Sequence, residues 1–350
     1  MKRFSSLFLI LIITLFITSF LFSCKSPTAP GGGGTNLPPG RRDYTWTADT
    51  IKIVDALSLN RIYGITPTDV WVTGVSSWTA TTIWHYDGNR WGCDSIPRNI
   101  SPWAVIGFSS NEVWIGNANS TIWKYDGSQW QLFGTYNVSG YDQVVIQNFD
   151  GLSGNNIYGV GYAAIYGNTN NYEGIIMHYD GTNWSFVNIP SGRVAFGDVK
   201  IDGNSGDLVL EGTDYDSTGW ISKIDVWDGK SLKEIYSGIP YANVGRIQNQ
   251  VYVTIDGKVY NYNNGQLILF KDLSGEGAVG KLWCGRSESD FFMWSAAGGI
   301  GHYNGNNFKI LYKFNPNMEI GGGYIFEKDV FFLVYDPNTG NNIIVHGKLN

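Results

Sequence analysis

Four histidines, His85, His178, His302 and His346, carry imidazoles that could ligate a metal. Three of them stand directly before Tyr-Asp-Gly or Tyr-Asn-Gly, and Lys124 holds the same place in Lys124-Tyr125-Asp126-Gly127. Recurrence at one place of a repeat puts these groups on separate sheets, packed about 10 Å apart. One ion held at about 2 Å cannot gather them. They are read as groups that pack or hydrogen-bond between sheets, and no metal is expected. Arg61, Arg193 and Arg246 stand at or near strand starts and would form an anion cluster if brought together; taken singly they are solvated strand ends. Glycoside hydrolysis needs two carboxylates facing each other across a substrate. Asp69, Glu112, Asp290 and Asp329 each precede a strand and read as turn residues. The run Asp202-Gly203-Asn204-Ser205-Gly206-Asp207 has calcium-loop composition without the terminal bidentate Glu at the required spacing, and reads as a hairpin loop. No Gly-x-Ser-x-Gly elbow, metalloprotease helix or phosphate loop is present. No catalytic residue and no cofactor is assigned.

The elements that carry these residues follow from a repeat. Ile83-Trp84-His85-Tyr86-Asp87-Gly88-Asn89-Arg90-Trp91 recurs as Ile122 to Trp130 and as Ile176 to Trp184. Weaker copies begin at Ile224, Val259 and Ile300, so six copies stand 35 to 54 residues apart. Asp-Gly and Asn-Gly tolerate positive φ and close a two-residue hairpin, which makes each motif two antiparallel strands and their turn. A third strand lies upstream of each, as in Asp69 to Gly74, and a fourth before that, as in Arg61 to Ile65. Four strands at this period make a propeller blade, innermost strand first.

The expected fold is therefore all-β: a seven-bladed β-propeller of four-stranded antiparallel blades. The last blade, from Ile320, lacks an outermost strand, and the segment near Tyr44 to Ile53 supplies it, with Trp46 in the place that Trp91 holds in its own blade. That closure leaves no sheet edge open. Residues 43–350 form the propeller, with blades over 57–98, 100–138, 143–191, 194–238, 242–273, 279–314 and 319–350 plus 43–54. Cys93 and Cys284 fall in different blades, too far apart for a disulfide, and are expected to be free thiols.

Composition agrees with this reading. Glycine occurs 45 times, aromatics make 15% of the chain and charged residues another 15%, and no stretch sustains a helical apolar period. The 24 basic side chains are outnumbered by 30 acidic ones. With no Lys/Arg cluster, that balance excludes nucleic acid as a partner.

The amino terminus has Lys2 and Arg3 ahead of an apolar run from Phe4 to Phe22, the pattern of an export signal. Leu21-Phe22-Ser23-Cys24 resembles the lipobox of bacterial lipoproteins. That resemblance implies a signal peptide over 1–23, acylation of Cys24, and an envelope location on the outer membrane or cell surface. Residues 24–42, with Gly31 to Gly34 and four prolines, read as a flexible tether. Within the propeller, the Asp-Gly-x-x-Trp hairpins are similar to the Asp-box turns of sialidase-like propellers and to kelch repeats. An Asp-box separates its Asp and Gly by one residue and kelch carries a glycine pair, so the likeness is one of architecture.

Function is sought in the loops that vary between repeats. Loops joining second to third strands open on one face and carry Trp78, Tyr166, Tyr172 and Tyr215, with Trp103 in the first crossover. Exposed aromatics suit sugar rings or a protein partner. These five residues are the candidate ligand-binding set. The chain is read as a lipid-anchored extracytoplasmic binding module for a glycan or a protein. The alternatives are a glycan-cleaving, sialidase-like propeller and a structural part of an envelope assembly.

Overall fold

The computed structural model describes residues 38–52, 57–77, 79–168, 171–216 and 219–350. Cys24 and Trp78 lie outside the described residues.

The repeated motif explains its own turn. Ile83–Tyr86 pairs with Trp91–Cys93 in register Tyr86 to Trp91. Asp87 Oδ1 accepts the N–H groups of Asn89 and Arg90, both at 2.9 Å, and Gly88 has φ of 92°. The Tyr86 hydroxyl donates to the Gly88 carbonyl at 2.9 Å. The turn pair is thus Gly-Asn, one residue later than the expected Asp-Gly. A short carboxylate just ahead of a turn takes the N–H groups that the turn leaves unpaired, and only glycine enters the left-handed region without strain. Asp126, Asp180, Asp228 and Asn304 repeat the arrangement. On the sheet side of the turn, the Tyr and Trp rings pack at 5.3 to 5.5 Å in the pairs Tyr86–Trp91, Tyr125–Trp130 and Tyr179–Trp184.

The strands assemble into antiparallel sheets in chain order. Leu57–Thr66, Asp69–Ser76, Ile83–Tyr86 and Trp91–Cys93 form one four-stranded sheet, and residues 102–135, 143–186 and 195–238 each form another. An eight-stranded sheet over 242–313 consists of two runs of four that meet through one parallel pairing, Ile247 with Gly285. The last sheet takes Glu319–Ile325, Asp329–Asp336 and Asn341–Leu349, with Tyr44–Ile51 along its outer edge, paired from Tyr44 with Leu349 to Ile51 with Asn342. Trp46 lies opposite Gly347, as Trp91 lies opposite Tyr86. A Cβ on Gly347 would sit 2.6 Å from the Trp46 ring, so the indole occupies the space a side chain would need.

Core lies between sheets. Ala104, Ile106 and Trp114 of the second sheet pack with Val144, Ile146 and Ile157 of the third, and Leu59 and Val70 of the first pack with Phe331 and Ile344 of the last. The first strand of each four-strand run lies against the first strand of the next, and Glu319–Ile325 lies against Leu57–Thr66. Asn342 ties the last sheet to the first: its Oδ1 accepts the Leu59 N–H at 2.9 Å and its Nδ2 donates to the Leu57 carbonyl at 3.0 Å. Each fully buried aliphatic side chain contributes about 1.5–3 kcal/mol, so stability comes from neighbouring sheets rather than from any one of them.

The histidines bond within a sheet rather than between sheets. His85, His302 and His346 meet Asp69, Asp290 and Asp329 at 2.7 to 2.8 Å, His178 meets Asn156 at 2.8 Å, and Lys124 meets Glu112 at 2.8 Å. The histidine rings lie against the neighbouring strand's aromatics, as His85 on Trp71 and His346 on Phe331. The acids expected as turn residues are therefore the partners of this repeat position. Asp69 also accepts from Ser110 Oγ of the following sheet at 2.6 Å. Asp202 caps its own hairpin loop, accepting from Ser205 N at 3.0 Å.

Residues ahead of the first strand, read as tether, are held in place from Pro38 onward. Gly40 N–H donates to Ser289 and Asn304 carbonyls at 3.0 and 3.1 Å. Arg42 Nε donates to His302 Nδ1 at 3.2 Å. This segment meets the turns between first and second and between third and fourth strands, the end of the sheets opposite the second-to-third loops. Cys93 and Cys284 are free.

One carboxyl is placed at a cost. Asp225 is 7% exposed and lies across from Glu234; burial first, then the Glu234 charge, push its pKa up to about 6. A folded-state value above the unfolded one means that stability falls as pH rises through that interval. Asp225→Asn is expected to raise unfolding free energy at pH 7.5 by up to about 3 kcal/mol and to leave it unchanged near pH 4, read by urea denaturation at both pH values. Equal effects at the two pH values would contradict this.

Candidate functional site

At the end of the sheets opened by the second-to-third loops, an aromatic cluster spans the 143–186 and 195–238 sheets. Strand Leu208–Asp216 pairs with Gly219–Trp227 so that Tyr215 faces Trp220, their rings 5.3 Å apart at 65°. Tyr172, the first residue of Tyr172–Tyr179, donates its hydroxyl to Asp214 Oδ1 at 2.9 Å and accepts the Tyr215 N–H at 3.1 Å. Burial, followed by the Asp214 carboxylate it donates to, raises the Tyr172 phenol. Arg193 Nε donates to Asp214 Oδ1 at 2.9 Å, and its Nη2 binds the Tyr215 carbonyl. Arg193 and the Tyr172 hydroxyl both hold the backbone of Tyr215, and the rings that face each other here are open to solvent: Trp220 is 67% and Tyr215 45% exposed.

Of the five expected aromatics, the structure joins Tyr172 and Tyr215. Tyr166 stands in a neighbouring turn, its N–H bound to Asp142 and its ring exposed. Trp103 is not in a crossover; it lies inside strand Pro102–Ser109, at a bulge where the register skips from Pro102 to Ala104. Trp220, Ile239 and Tyr241 are exposed apolar side chains at this end that the sequence reading missed. Trp220 had a signal, since it follows the same loop as Tyr215 by five residues.

A second set of polar groups lines a cavity of about 320 Å³ between the first strands. Asp198 is its centre. Its Oδ1 accepts from Asn148 Nδ2, Lys200 Nζ and the Val199 N–H at 2.6 to 2.7 Å, and its Oδ2 binds Lys281 Nζ. Burial pushes this carboxyl up, but Lys200, Lys281 and Arg61 together outweigh it and hold it below the usual range. Lys281, which burial alone would lower, is raised by Asp198 and Glu211. Arg246 pairs with Asp150 at 2.7 Å. Arg61 sends Nη2 across to the carbonyls of Gln147 and Gly197 at 3.2 and 3.3 Å, both at bulges.

Arg61 and Arg246, expected as solvated strand ends, thus belong to this cavity, and Arg193 belongs to the aromatic cluster. Among the described residues no group of three or more His, Cys, Asp or Glu is arranged to hold a metal ion. Asp150, Asp198, Lys200 and Lys281 went unrecognised in the sequence; charges alternating with apolar residues, as in Asp198-Val199-Lys200, were their signal.

No protein-family model matches the chain, and no curated protein matches its sequence. Solved structures do match its fold. A structure of YCF48 bound to D1 peptide superposes with a TM-score of 0.63 at 14% identity, covering 92% of this chain and all of that one. YCF48 from Cyanidioschyzon merolae gives 0.55 at 13% identity, with 85% and 98% covered. The WD40 β-propeller domain of Doa1 gives 0.59 at 9% identity, with 87% and 97% covered. The chain carries a β-propeller repeat domain.

Removing the carboxylate of Asp198 leaves two buried ammonium groups without their shared partner. Asp198→Asn is expected to lower stability by about 3–5 kcal/mol. Because the folded-state pKa of Asp198 is depressed, its contribution is present above the ordinary carboxylate value near 3.8 and is lost as pH falls below it. The variant's acid-unfolding curve should accordingly be flatter there than that of the wild type. A chemical-denaturation series from pH 2.5 to 7 that shows parallel curves would contradict the assignment.

Proposed function

We propose that this chain is a membrane-tethered, extracytoplasmic interaction module that engages a protein partner through the end carrying Tyr172, Tyr215 and Trp220. The observation that carries the reading is the exposed Tyr215–Trp220 pair, with the Tyr215 backbone held by Arg193 and the Tyr172 hydroxyl. Rigid aromatics beside arginine are the residue types that dominate protein interfaces. A like-folded propeller has been solved with a bound peptide, YCF48 with D1 peptide, which supports a polypeptide ligand over a sugar.

The scaffold is a seven-bladed ring in this reading. The 28 strands among the described residues make seven blades when the eight-stranded sheet counts as two, and the pairing of Tyr44–Ile51 with Asn341–Leu349 supplies the last blade's outer strand. The tether runs from an acylated Cys24 to Pro38, where the chain meets Ser289 and Asn304 at the turn end of the ring.

Two measurements test this. Cys24→Ser should move the protein from the membrane to the soluble fraction and abolish incorporation of labelled palmitate; unchanged fractionation contradicts the anchor. A photo-crosslinking residue placed at Tyr215 in intact cells should give discrete protein adducts that Trp220→Ala reduces at least tenfold, whereas the same residue at Thr68, exposed at the opposite end, should give none. Equal adducts from both positions, or retention on a glycan array lost in Trp220→Ala without protein adducts, would overturn the protein-binding reading.

A further inference from the structure

We propose that the inner cavity is a second ligand site and that its ligand is a singly charged carboxylate held by Arg61. The site stands apart from the aromatic end, and its argument does not use that surface.

Charge accounting comes first. The cavity wall carries four cations, Arg61, Lys200, Arg246 and Lys281, and two carboxylates, Asp150 and Asp198. Glu211 approaches Lys281 from behind at 3.5 Å, which still leaves one positive charge in excess. The pairings show which cation is unmatched. Arg246 has Asp150 at 2.7 Å, and Lys200 and Lys281 share Asp198. Arg61 makes hydrogen bonds only to neutral acceptors, the carbonyls of Asn60, Gln147 and Gly197 at 3.0 to 3.3 Å.

Donor accounting points the same way. Arg61 Nε is buried with no hydrogen-bond partner; the indole Nε1 of Trp283, in the cavity wall, is unpaired as well, as are those of Trp114, Trp123, Trp184 and Trp294 away from the cavity. A buried donor left unmade costs about 1–3 kcal/mol, and such groups are rare enough in native proteins that each needs an explanation. An anionic acceptor in the cavity would answer the unmatched positive charge and the Arg61 Nε–H together. The carbonyls that hold Nη1 and Nη2 fix the guanidinium plane and leave Nε–H as the donor without a partner, and a plane fixed before a ligand arrives lowers the ordering cost of binding.

Size and charge narrow the ligand. A cavity of about 320 Å³ stands at the small end of the range for ligand sites, room for a small organic acid or one acidic side chain. A single excess charge matches a carboxylate better than a phosphate group, which carries about −1.5 to −2. Gln248, an exposed turn residue, also lines the cavity, so access is from the turn end.

The test is an NMR titration of the full chain in detergent micelles, following the Trp283 indole and Arg61 Nε–H resonances. The probes are acetate, the tripeptide acetyl-Gly-Asp-Gly-amide, and inorganic phosphate. The proposal expects saturable shifts of both resonances with at least one carboxylate. That binding should be weakened tenfold or more in Arg61→Gln and less in Arg61→Lys, both variants being checked for native near-UV circular dichroism. Tripeptide binding tenfold tighter than acetate identifies an acidic protein segment as the source, and the reverse identifies a free acid. The proposal is overturned if neither carboxylate shifts the resonances, if Arg61→Gln binds as wild type, or if phosphate binds more tightly than both. Should Arg61→Gln fail to fold, the Arg61→Lys titration decides alone: affinity equal to wild type contradicts a guanidinium contact.

Discussion

The backbone pairing of Tyr44–Ile51 with Asn341–Leu349 is the constraint on which the rest of the structure depends. Each sheet here is apolar on faces that bury only against the next sheet, so no sheet is stable by itself. Leu59 and Val70 need Phe331 and Ile344, and the last sheet needs an outer strand that only the start of the chain provides. Without it, the edge of Asn341–Leu349 presents unpaired N–H and C=O groups and the gap over Gly347 loses the Trp46 ring. The last sheet then meets Leu57–Thr66 through Glu319–Ile325 and through the Asn342 side chain of its own third strand.

The scaffold was legible because its motif solves a local problem the same way each time. Tyr, Asp and Gly in sequence supply a hydroxyl for the glycine carbonyl, a carboxylate for two N–H groups and a residue free to take positive φ. That chemistry can be read without a structure. The position of the turn could not, because Asp-Gly can be either the turn pair itself or its lead-in; the side-chain hydrogen bonds of Asp87 decide. Trp103 was misplaced for a related reason, since a bulge inserts a residue without changing the apolar pattern around it.

The inner cavity was legible only in Arg61 and Arg246, which would form an anion cluster if brought together; Asp150, Asp198, Lys200 and Lys281 were not. Its members come from strands far apart in sequence, as Asp198 and Lys281, and each alone looks like a charged residue at a strand end. Their meaning appears only when the first strands are set side by side. There a mixed-charge cluster forms at a cost in desolvation that hydrophobic residues would not incur. Stability alone does not account for such a cluster, while recognition of a charged ligand does. The aromatic end follows the opposite logic: Tyr215 was legible from its loop as an exposed aromatic, while Trp220, five residues on in the same hairpin, was missed.

Closure by the amino-terminal strand is the claim that most of this account shares. Amide hydrogen exchange, compared between the full chain and a chain beginning at residue 52, tests it directly. Closure predicts that removing Tyr44–Ile51 strips protection from Asn341–Leu349 and, through lost packing, from Leu57–Thr66 in the first sheet. Protection unchanged in both strands would show that the last sheet stands without its outer strand, and would contradict the account.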